Sequence, residues 1–184
     1  MSHHSVVDEI EAVMGVDFDH PLTTPIAQEQ IKSWMQTEDV EGQGAVFALL
    51  MKPHHAKRIA PPMTFDDYHH FVMRYYERCF RENPDGEWAD SRYSAGRSLV
   101  NWFIGNWNKS EVPRSAFADL KAWLETLYIK GDQELRICLV TATFEHLFEN
   151  KKIAKYFSDW EKDPVLKVAY EEAMRWQEKE SRKE

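Results

Sequence analysis

Cysteine and glycine are scarce in this 184-residue chain, with two of the former and seven of the latter. Cys79 and Cys138 each fall on the apolar side of a helical stretch and have no partner at metal-ligand spacing, so they read as reduced, buried thiols. A disulfide framework would need an oxidising compartment that nothing else in the sequence suggests. Few glycines leave little material for a phosphate-cradling loop, and Gly-x-Ser-x-Gly and His-Glu-x-x-His are both missing. Long apolar runs are also absent. The longest, Ala45–Met51, has seven residues, against the roughly 20 needed to span a bilayer. The opening residues are polar and acidic and do not read as a secretory signal. The expectation is a cytoplasmic protein with no membrane contact and no cofactor.

Basic residues are nearly missing from one region. Residues 1–50 carry nine acids and a single base, Lys32, whereas the rest of the chain is balanced, so the whole net charge of −8 sits in the first quarter. A basic footprint for nucleic acid is therefore not expected. An acidic surface fits a protein partner of basic character. The residues proposed to meet it are Asp17, Asp19, Glu38, Asp39 and Glu41, with Trp88 as an aromatic contact in the turn before a helix.

What the chain has in quantity is helix signal. Apolar residues make up 43% and aromatics 13%, enough for a sizeable core. Alternating strand patterns are scarce. A short helix is expected over 5–14, and Thr24-Pro25 reads as a helix start, with a hydroxyl cap and proline in the first turn. Gly42 and Gly44 flank the start of the next helix, and 52–62 reads as a proline-bounded loop. Thr64-Phe-Asp-Asp67 resembles a capping box. It opens an amphipathic helix to about residue 83, with Phe65, Tyr68, Phe71, Val72, Tyr75, Tyr76, Cys79 and Phe80 inward. Pro113 begins a helix that Gly131 stops, and Asp132 caps the next. Asp163-Pro164 caps the last, with Val165, Leu166, Ala169, Tyr170, Ala173 and Trp176 inward. The fold class is all-α: a single-domain array or bundle of about seven to nine helices around a central helix near 132–149. An acidic segment over 1–22, with a short helix docked or free, precedes the helical domain at 23–177. A charged tail follows at 178–184.

The central position of 132–149 follows from its wheel. At about 100° per residue, Ile137, Val140, Phe144, Leu147 and Phe148 gather on one side. Leu135, Cys138, Leu139 and Ala142 gather on the other, so the helix should be sandwiched between layers. Glu145, His146 and Glu149 cluster near its end. His146-x-x-Glu149 places two ligands one turn apart, as does Asp66-x-x-His69 on another helix, and two such pairs facing one another would suit a metal. The five ligand or metal candidates are Asp66, His69, Glu145, His146 and Glu149. No residue is singled out as catalytic.

The stretch Leu127-Tyr-Ile-Lys-Gly-Asp-Gln-Glu-Leu-Arg136, followed by Thr143-Phe-Glu-His-Leu147, resembles a joint found in small bacterial all-helical proteins, some of immunity type, which neutralise a toxin. The likeness covers about twenty residues and assigns no functional residue. It implies a non-enzymatic helical protein that acts by binding another protein. The alternative is a helical metal-binding protein or enzyme using the His/carboxylate pairs. Oligomeric state is left open.

Overall fold

The computed structural model describes residues 5–15 and 23–180. The fold is all-α, with only two short bridged strands among the described residues. The chain divides into two compact units, Met1–Ser91 and Arg92–Glu184.

In the first unit, α1 (Val6–Met14) starts at a reciprocal cap. Ser5 Oγ accepts from Asp8 N (3.1 Å), and Asp8 Oδ2 accepts from Ser5 N (2.9 Å), satisfying two amides that the first turn leaves free. The helix docks on its own unit, with Ile10 fully buried. Two indoles hold it there: Trp34 Nε1 donates to Glu9 Oε2 (2.6 Å), and Trp88 Nε1 donates to Glu11 Oε1 (3.1 Å).

The expected helix start at Thr24-Pro25 is displaced. Ile26–Ala27 (β1) pairs in parallel with Ile59–Ala60 (β2), and α2 (Gln28–Trp34) begins only afterwards. Ile26 N donates to Arg58 O at 2.8 Å, and Ile26 and Ile59 are both buried. A partner more than thirty residues away outcompetes the local cap.

Helix α3 (Val40–Met51) begins at Asp39, whose Oδ2 accepts from Gly42 N at 2.8 Å. The two glycines therefore lie inside this helix rather than before it. Gly44 has a packing reason to be there, because a Cβ on it would sit 2.4 Å from the Trp88 carbonyl oxygen. The segment expected as a loop contains α4 (Pro53–Ala56), with proline in its first turn.

Helix α5 (Phe65–Glu82) follows its sequence pattern closely. Asp67 Oδ2 accepts from both the backbone N and the hydroxyl of Thr64, each at 2.7 Å. The backbone donor above all holds the Asp67 carboxyl below its ordinary range. Of the eight inward residues expected, only Tyr68 is less than buried. Tyr75 stacks on Phe47 at 4.9 Å, and Tyr76 meets the same ring edge-on at 5.2 Å. The helix ends at Asn83, the described non-glycine residue with positive φ (48°), a conformation asparagine tolerates.

The second unit comprises α6 (Arg92–Trp107), α7 (Arg114–Lys130), α8 (Gln133–Cys138), a π-helical stretch (Leu139–Phe144), α9 (Glu145–Leu147), α10 (Lys151–Tyr156), a 3₁₀ turn (Ser158–Lys162) and α11 (Leu166–Glu180). Asp132 caps α8 through Leu135 N (2.8 Å), and Asn150 caps α10. Arg136 folds back on the end of α7, donating to Tyr128 O (2.9 Å) and Ile129 O (2.6 Å). The core is an aromatic cluster. Trp160 meets Phe144 at 5.0 Å and Phe157 at 4.8 Å, both edge-on, and Phe103 meets Phe117 at 5.3 Å. Lys121, on the buried side of α7, lies over the Tyr156 ring at 5.1 Å and bonds to Asp159.

Residues 133–147 form the rod that the wheel anticipates, buried at Leu135, Cys138, Leu139, Val140, Ala142, Phe144 and Leu147. Its phase differs. In the π-helical stretch the backbone bonds reach one residue further, so each residue advances by less than an α-helical step. Ile137, expected inward, is 48% exposed, while Thr143, expected in a seam, is fully buried. Gly96 of α6 is the close-approach point: a Cβ there would lie 2.7 Å from Ala142 Cβ and 3.0 Å from Thr143 Oγ1.

Candidate functional site

The candidate ligand residues occupy unremarkable environments. His69 is buried, stacked on Phe65 at 4.9 Å, and its Nδ1 donates to the Phe65 carbonyl (3.1 Å). Asp66 is exposed. On the second unit, His146 Nδ1 and Glu149 Oε1 lie 2.9 Å apart near the surface, and Glu145 is half-buried, its carbonyl accepting from Gln177 Nε2 (2.6 Å). Among the described residues, no three His, Cys, Asp or Glu side chains gather as a set able to hold a metal ion. Burial pushes the thiol of Cys79 up to about 12 and that of Cys138 up to about 11, so neither is a ready nucleophile.

The candidate partner-binding acids are largely engaged within the first unit. Glu41 accepts from the backbone N–H groups of Trp88 (2.8 Å) and Ala89 (3.0 Å). Asp39 is the α3 cap. Trp88 is half-buried and held by Glu11 and Glu41. The Glu38 side chain is exposed, while its carbonyl accepts from Arg78. Asp17 and Asp19 lie outside the described residues.

One surface was not anticipated from the sequence. Among the described residues, every large hydrophobic side chain that stands exposed belongs to the second unit: Tyr93, Ile129, Ile137, Val165, Val168 and Trp176. Val168 and Trp176 are eight residues apart on α11, with Glu172 midway between them, and Val165 stands in the turn just before the helix. This outer edge of α11 and the rod at 137–145 border two adjoining open grooves. One is lined by Ile137, Val168, Glu172 and Arg136, among others, the other by Ile137, Val140, Glu172 and Trp176. Ile137 and Glu172 line both. Val165 and Trp176 were expected inward. The buried face of α11 is instead Leu166, Ala169, Tyr170 and Ala173, and the expected set was simply too wide for one face. The signal that singles out the surface is the step of eight from Val168 to Trp176, offset from that narrower buried stripe.

The features thus define an all-α protein with an exposed apolar strip. No protein-family model, curated protein or solved structure matches this chain. No helix among the described residues is long and apolar enough to cross a membrane.

Proposed function

We propose that this chain acts by binding another protein rather than by catalysis, and that the contact is the apolar strip of the second unit. The observation that carries the reading is the exposure of Ile137 (48%), Val168 (48%) and Trp176 (40%) along two joined grooves. Large apolar side chains clustered on a surface and rimmed by charge are the usual mark of a protein contact, and a central tryptophan is a common energetic anchor. The joint at 127–136 and 143–147, with its likeness to bacterial immunity-type proteins, makes a toxin the class of partner to seek.

Affinity capture from the native host, using the wild-type chain beside Ile137→Glu and Trp176→Glu, tests this. A partner held by the wild type and lost by both variants is the expected result. Capture of no partner, or of one that both variants keep, removes the reading.

A further inference from the structure

We infer that the turn around His55 in the first unit is a phosphoryl-binding site, built from the side chains of Lys52, His54, Lys57 and Arg58 rather than from a glycine loop. It is independent of the apolar strip proposed above. None of residues 42–65 is acidic, and within that stretch Lys52-Pro-His-His-Ala-Lys-Arg58 places three cations and two imidazoles on one turn of chain. The chain's excess acid lies in residues 1–50 of the same unit. Even so, among the described residues none of Lys52, His54, Lys57 and Arg58 pairs with a carboxylate. Lys52, His54 and Lys57 are exposed. His54 stands on α4, three and four residues before Lys57 and Arg58, the spacing of neighbours on one helical face.

Three of these groups gather about one point. His55 is buried, its ring centroid lies 3.9 Å from that of His54, and its Nδ1 accepts from Arg58 Nη1 at 3.3 Å. After burial itself, the influences that push its pKa down to about 4 are His54, Arg58 and Lys52, and no carboxylate acts the other way. Exposed lysines relieve such repulsion by swinging into water. Arg58 does not have that freedom. Its Nη1 also donates to Val13 O (2.9 Å) and its Nε to Thr24 O (3.0 Å). The guanidinium is thus fixed by neutral acceptors, while its Nη2 donates to nothing among the described residues. Cations crowded about one imidazole suit a single compact anion rather than an extended acidic surface. A lone carboxylate brings one charge to them. A phosphoryl group brings close to two, with several acceptor oxygens for the guanidinium and the ammonium groups.

The test is an NMR titration of the full, ¹⁵N-labelled chain at constant ionic strength with inorganic phosphate, with a phosphoserine peptide flanked by alanines, and with acetate. Phosphate and the phosphopeptide should shift the amides of residues 52–58 saturably and move the His55 ring titration to higher pH, and acetate should not. Tighter binding of the peptide assigns the phosphoryl group to a partner chain, and tighter binding of free phosphate assigns it to a small ligand. Lys52→Ala with Lys57→Ala changes only exposed side chains, so the fold should hold while affinity falls about tenfold. An equal response to acetate, shifts centred elsewhere, or affinity unchanged in that double variant would overturn the inference. So would a wild type that binds neither probe, even if Asp17→Asn with Asp19→Asn binds them, because the chain's own acids would then be the counter-charge.

Discussion

In the first unit the carboxylates of Glu9, Glu11 and Glu41 are taken up by indole and backbone N–H groups, whereas in the second Ile137, Val168 and Trp176 stand exposed. The region that draws the eye in the sequence, the acidic first quarter, spends much of its charge on its own architecture. The balanced region carries the apolar surface. Net charge counts residues and is blind to what each carboxylate accepts. A partner contact is better sought where side chains have no internal use.

The comparison can be broken at several points. The largest effect is expected at Gly44. Gly44→Ala would drive a methyl into the backbone of Trp88, and urea unfolding should show a loss of about 3 kcal/mol. Unchanged stability would mean that α3 does not lie against residues 88–89. Next is Glu41→Ala. It strips the acceptor from Trp88 N and Ala89 N, at an expected cost of about 2 kcal/mol. A neutral result would return Glu41 to the list of partner-facing acids.

The third test is pH. His55 is buried, its Nδ1 lies 3.3 Å from Arg58 Nη1, and burial first, then His54, Arg58 and Lys52, lowers its pKa from 6.5 to about 4. Arg58 in turn donates to Val13 O (2.9 Å) and Thr24 O (3.0 Å). Because the folded state favours the neutral ring, the unfolded chain binds the extra proton between these two pKa values. The stabilisation is complete above 6.5 and lost as pH falls towards about 4. Thermal unfolding across that window should fall for the wild type and fall less for His55→Gln. Equal slopes would contradict the assignment.

The smallest effect belongs to Thr143, whose hydroxyl is buried without a hydrogen-bond partner among the described residues. Thr143→Val keeps the shape and removes the unpaired group, so stability should hold or rise by up to about 1 kcal/mol. A clear loss would reveal a partner for the hydroxyl.

Much of the fold was legible because periodicity is local. The α5 pattern from Phe65 to Phe80 names its buried face almost residue for residue, and Asp132 and Asp163 cap the helices they precede. What was not legible depended on distance or on backbone phase. The pairing of Ile26 with Ile59 and the bond from Trp88 to Glu11 join positions with no shared local pattern. The π-helical stretch at 139–144 breaks the single α-helical phase on which the wheel of 132–149 rests, and no residue type announces such a stretch. The candidate site was therefore sought among acids and histidines, whose types suggest chemistry, while the exposed strip was hidden among residues whose types suggest core.

The most direct measurement is hydrogen–deuterium exchange on the full chain with and without its captured partner. The account predicts new protection confined to 137–145 and 165–176, with residues 38–41 unchanged. Protection centred on Glu38 and Asp39, with the α11 strip left exchanging as before, would contradict it.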